Sequence, residues 1–105
     1  MLLDDFEQRL KTENLLKIYD NGSWKQYHPL ITKSPFGLIN CFGICKNISD
    51  NCYIIYITDN ERGGIPYYTS KAATIDIACE KLYRYISLCD KSYKEEHPEY
   101  YSELN

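Results

Sequence analysis

The chain has 105 residues, enough for one domain and not two. Hydrophobic residues make up 44% of it and charged residues 26%, which excludes a disordered chain. The net charge of −3 argues against a nucleic-acid binder, which needs a basic stripe to neutralise phosphates, and permits a basic protein partner.

Leu3, Phe6 and Leu10 recur at spacings of three and four, one stripe of a helix. Asp4, Asp5 and Glu7 lie near its positive N-terminal end, and the stripe loses phase at Leu15-Leu16, so the helix should end near Glu13. The same early acids spoil a basic signal-peptide start. The longest aromatic-aliphatic run, residues 53–57, is far short of a membrane span, so a cytoplasmic protein is expected.

Residues 17–27 read as a small hairpin, because Asn21-Gly22 tolerates positive φ at both turn positions. His28-Pro29 and Ser34-Pro35 then punctuate an expected loop. Phe36, Leu38, Phe42 and Ile44 alternate as one strand face, interrupted at Asn40. Residues 47–51 supply a turn, and 52–58, apolar on both faces, read as a central strand. A second turn at 59–64 leads to Ile65, Tyr67 and Thr69, where Pro66 indicates an edge strand, open to pairing with a second copy as a homodimer or with a partner strand.

Ile75, Cys79, Leu82, Ile86 and Cys89 recur at alternating spacings of four and three, which predicts a helix over 71–93 with Ser70 as cap. Glu80 and Arg84 are spaced as an i,i+4 pair on its surface. Pro98 should open a short tail helix over 99–104. Tyr100 and Tyr101 point about 100° apart there, so both cannot be buried against one surface. The predicted fold is α+β in one domain, 1–105: a core over 1–93 and an acidic, Tyr-rich tail over 94–105. An N-terminal helix, a small antiparallel sheet of three to five strands, a long C-terminal helix packed on the sheet and the short tail helix make it up.

Catalytic and metal chemistry find little purchase. Cys41 and Cys45 would sit about 13 Å apart along a strand, too far to share one zinc ion. Five cysteines in a cytosolic chain read as reduced, buried thiols. His28 and His97 each precede a proline in an expected loop, where a solvated imidazole is the ordinary finding. Arg62-Gly63-Gly64 has a cation and two glycines but not the spacing of a phosphate loop. The helix–strands–helix order resembles the double-stranded RNA-binding domain, yet Ser70-Lys71-Ala72-Ala73-Thr74 carries one lysine where that family has a cluster. No cofactor, metal site or enzymatic activity is expected. The 11 tyrosines, against three Phe and one Trp, favour protein contacts, because Tyr covers apolar surface and keeps a hydroxyl for a partner.

The segment Tyr53-Ile54-Ile55-Tyr56-Ile57-Thr58-Asp59-Asn60-Glu61-Arg62-Gly63-Gly64, with Ala78-Cys79-Glu80-Lys81-Leu82-Tyr83-Arg84-Tyr85-Ile86, resembles the small immunity proteins of Gram-positive polymorphic toxin systems. The shared features are a hydrophobic strand, a Glu-Arg-Gly turn, another strand, and a helix with an Ala-Cys pair before an apolar stripe. They span roughly residues 53–86. The resemblance implies a cytosolic antidote that binds the toxic domain of a cognate toxin and blocks its active site or substrate access. A phage-encoded inhibitor of a bacterial defence system, anti-CRISPR-like, is the alternative that composition leaves open. The expected partner-binding residues are Glu61 and Arg62 in the turn, and Glu95, Glu96, Glu99, Tyr100 and Tyr101 in the tail, facing a basic toxin domain.

Overall fold

The amphipathic stripe of the first residues becomes α1 (Leu3–Thr12), with Phe6 and Leu10 fully buried. Asp4 and Asp5 lie in its first turn, where the helix dipole favours them. Asn14 stops the helix by turning left-handed at φ 60°, and the Leu15 amide donates back to the Leu10 carbonyl at 2.7 Å. These relations come from a computed structural model that describes residues 1–60 and 64–98.

β1 (Lys17–Asp20) and β2 (Ser23–Ile31) form the expected hairpin. Asn21 and Gly22 take φ of 52° and 87°, the pair of positive values a two-residue turn of the right twist needs. The strand does not end at His28-Pro29. It runs on to Ile31, with a register shift between His28 and Ile31. Pairing with β1 stops at Lys17↔Gln26, so Pro29 interrupts no ladder on that side, and on the other it falls within the irregularity.

β3 (Cys41–Asn47), β4 (Cys52–Thr58) and β5 (Pro66–Ala72) follow as an antiparallel meander. The sheet order is β1-β2-β3-β4-β5, but it is mixed rather than antiparallel, because β2 and β3 run parallel from Gln26↔Cys41. A parallel pair needs the chain to return to its starting end. Residues 32–40 make that return without a helix, and Asn40 re-enters the sheet at φ 53° with its carbonyl accepting from the Gln26 amide at 2.9 Å. Phe36 and Leu38 therefore belong to this crossing and not to the strand of Phe42 and Ile44. The Gly37 amide donates to the Gly64 carbonyl at 3.2 Å, so the crossing reaches the approach to β5.

β5 is an edge strand, as Pro66 indicated, but it continues to Ala72. Lys71 and Ala72 pair with Ile54 and Tyr53, which displaces the start of α2 (Ile75–Glu96) by one turn. Thr74, not Ser70, is the cap, accepting from the Ile77 amide at 3.2 Å. The helix also runs three residues past Tyr93, and the predicted tail helix lies outside the described residues. Glu80 stands 3.5 Å from the amino group of Met1 rather than against Arg84.

Phe42, Ile44, Ile55 and Ile57 face the two helices and bury fully against Phe6, Leu82 and Ile86. Arg9 of α1 stacks 4.2 Å from the Tyr83 ring of α2 and donates to its hydroxyl at 2.8 Å, and Tyr83 donates to Glu13. The sheet curls until its two edges meet: Tyr67 of β5 and Tyr85 of α2 both donate to the Asp20 carboxylate of β1, Tyr85 at 3.0 Å. Lys25, buried on β2, turns its ammonium to the Asp20 carbonyl at 2.8 Å and to the Ser23 hydroxyl.

Leu82→Ala, at the centre of the helix–sheet core, should cost about 2–5 kcal/mol in urea denaturation. Gly43→Ala tests the parallel pair, since a Cβ there would lie 2.6 Å from the His28 carbonyl oxygen and 2.8 Å from the Tyr56 hydroxyl. Backbone cannot yield as a side-chain tip can, so a loss of about 1–3 kcal/mol is expected. An unchanged unfolding midpoint would contradict the close approach of β2 to β3.

Candidate functional site

The C-terminal end of α2 meets the β1–β2 hairpin through aromatic rings. Tyr93 stands 4.9 Å from the Tyr19 ring and 5.1 Å from Trp24, which themselves pack edge-on at 5.5 Å. His97 extends the group, 4.4 Å from Tyr93. The sequence spacing explains the meeting: Tyr93 lies two turns beyond Ile86 on α2, and Tyr19 and Trp24 are cross-strand partners. Such a ring group fixes the last turns of the helix against the hairpin.

Two of the predicted contact residues, Glu95 and Glu96, are exposed on these fixed turns. Lys94 pairs backwards with Asp90 at 2.8 Å. A shallow cleft of about 430 Å³ lies beside them, lined by Tyr19, Asp20, Leu88, Cys89, Tyr93 and Glu96. Leu88 is 62% exposed there, a large apolar side chain beside acids and rings. Asn21, at the hairpin tip, lines the same cleft and donates to Asp59 at 3.3 Å. The base of the second turn is thus tied to the hairpin that carries the aromatic group. The other expected contact residues, Glu61, Arg62, Glu99, Tyr100 and Tyr101, lie outside the described residues.

Cys89, the thiol that lines this cleft, is poorly suited to nucleophilic chemistry. All five cysteines are free thiols. Burial pushes Cys89 up to about 12, with Asp20 adding to the shift, and Cys79 up to about 11. Burial also raises Cys41 and Cys45. A thiol so placed is a poor nucleophile, because the thiolate is the reactive form. Burial, then the hydrogen bond to Asp20, raises the Tyr67 phenol, which stays a donor to that carboxylate. Among the described residues no three His, Cys, Asp or Glu side chains gather as metal ligands would, and no helix is long and apolar enough to cross a membrane.

A second concavity lies across the sheet from the helices. Residues 32–36 pass over a floor of Cys45, Ile54 and Thr69, enclosing about 510 Å³. Phe36, Ile48 and Ile65 line it while 65%, 72% and 48% exposed. Sequence periodicity misses it, because these apolar residues come from a crossing, a turn and a strand approach, none of which has a period. Their signal was their setting, large apolar side chains among Gly, Pro, Asn and Ser.

No protein-family model matches the chain, and neither a curated protein nor a solved structure is similar enough to it to count as a match.

The raised thiols make a pH prediction. A thiol that holds its proton longer when folded than when unfolded supports the fold below the unfolded value, and that support is lost as pH rises toward the folded one. Stability should therefore fall between about pH 9 and pH 12, the span from an ordinary thiol to Cys89. Urea midpoints across that range, repeated with Cys89→Ser, check it: the variant should lose part of the alkaline decline. In the native protein at pH 8 a mild aromatic disulfide should label Cys79 and Cys89 far more slowly than after unfolding.

Proposed function

We propose that this chain is an immunity- or antitoxin-like inhibitor, which binds a cognate protein toxin and obstructs its active site or the path of its substrate. The observation that carries this reading is the aromatic end of α2, where Glu96 and exposed Leu88 line one cleft with Tyr19 and Tyr93, Trp24 packs against those rings, and Glu95 stands exposed on the same last turn. Aromatic side chains held rigid beside one apolar contact are the composition of an interface centre, and surrounding carboxylates steer a basic partner toward it. A domain that cuts nucleic acid is such a partner, since its own substrate demands positive charge. An inhibitor needs no reactive group of its own, which accords with thiols kept protonated by burial. Action in the cytoplasm, beside the toxin as it is made, belongs to the same reading.

The decisive experiment is a tagged pull-down from the source cell, washed at low and at high salt, with mass spectrometry of what stays bound. A single stoichiometric basic protein that loosens with salt supports the proposal, and its toxicity when expressed alone completes it. Recovery of a component of an antiviral defence system would replace the toxin as target, and recovery of nucleic acid would overturn protein inhibition.

With the partner in hand, Glu95→Lys combined with Glu96→Lys should slow association about tenfold at low salt. The same change should alter folding stability by less than about 0.5 kcal/mol, because both positions are exposed. Stopped-flow binding and thermal melts separate the two effects.

A further inference from the structure

We propose that the concavity beneath residues 32–36 binds an amphiphilic anion of the fatty-acid class, an unbranched alkyl chain ending in a carboxylate. Its volume of about 510 Å³ lies within the ordinary range of small-ligand sites. The body of the cleft is largely apolar, with Phe36, Ile48, Ile54 and Ile65 among its lining.

Charge selects the head group. The chain as a whole carries −3, yet among the described residues the charged side chains lining this cleft are Lys33 and Lys46. Among the described residues neither ammonium has a carboxylate within ion-pair range. The neighbouring acid, Asp50, is engaged by Lys71 at 3.4 Å and by the Asn47 amide at 3.2 Å. The charges that the described residues bring to this cleft are therefore cationic on an acidic protein, and a buried alkyl chain would set its carboxylate against Lys33 and Lys46.

Backbone chemistry selects the body. A polypeptide laid in the cleft would bring N–H and C=O groups that must be paired. The adjoining edge strand serves them poorly: Pro66 has no N–H, and the Lys71 carbonyl already accepts from Lys81 at 2.7 Å. An alkyl chain makes no such demand.

The test is isothermal titration of the full chain with octanoate, decanoate and dodecanoate, each below its micelle concentration, and with decanol. Affinity should rise about fourfold per methylene until the cleft is filled, the equivalent of about 0.8 kcal/mol each. Decanol should bind about tenfold more weakly than decanoate. Phe36→Ser, at an exposed position, should weaken every ligand about tenfold. Lys33→Glu with Lys46→Glu should weaken the carboxylates and leave decanol unchanged. Absence of saturable dodecanoate binding overturns the proposal, as does binding indifferent to Phe36. Equal affinity for decanoate and decanol, or carboxylate binding that survives charge reversal, overturns the anionic specificity.

Discussion

One carboxylate holds the two ends of the sheet together. Asp20 sits on the first strand and accepts from Tyr67 on the last, while Tyr85 brings the long helix to the same oxygen. An isolated five-stranded ribbon would leave two edges apart. Here the curl brings them together and lets one helix lie across the mouth of the curve. Hydrogen bonds to a charged acceptor contribute about 1.5–3 kcal/mol each, enough to decide between an open and a curled sheet. The Lys25 ammonium, set against the Asp20 carbonyl and 5.6 Å from the Tyr67 ring, adds a cation to the same junction. The position of the ring group around Tyr93 follows from this closure, since Tyr19 is the residue before Asp20.

The closure also separates two kinds of surface. On the helix side, the end of α2 presents carboxylates beside aromatic rings. On the opposite side, the crossing from β2 to β3 presents apolar side chains beside lysines. The helices and core strands serve as the frame between these two surfaces. The edge of β5 borders the second surface, where Pro66 and Thr69 line the concavity. Pro66, exposed Lys71 and the Lys81 amine on its carbonyl all discourage strand addition, the ordinary means by which such edges are protected.

Much of this frame was legible from residue spacing. The stripes of Phe6–Leu10 and Cys79–Ile86, the Asn21-Gly22 turn and the Pro66 edge each express a local rule, and local rules act within a few residues. The parallel β2–β3 pair was not legible, because strand direction is decided by where a loop returns, and residues 32–40 carry no periodic mark of it. His28-Pro29 was misleading for a related reason: a proline breaks a strand only where its missing N–H has a partner to lose, and Pro29 falls where β1 has already ended. Ser70 lost the cap to Thr74 because pairing with β4 held the chain extended through Ala72. At the candidate site, Glu95 and Glu96 stood out in the sequence by their charge. Their anchorage through Tyr93 depended on a meeting between α2 and β1 that no single segment encodes.

The parallel junction has a kinetic consequence. The β1–β2 hairpin and the β3–β4–β5 meander are each built from neighbours in the chain and can form early and separately. Joining them requires β2 to meet β3 alongside rather than head to tail, after the crossing has closed and the His28–Ile31 irregularity has found its register. That docking is the least local step of the assembly, and it is also the step that brings Asp20 to Tyr67. Until it is complete, two sheet edges stand open on a newly made chain, which makes the interval between synthesis and docking its period of greatest exposure to aggregation.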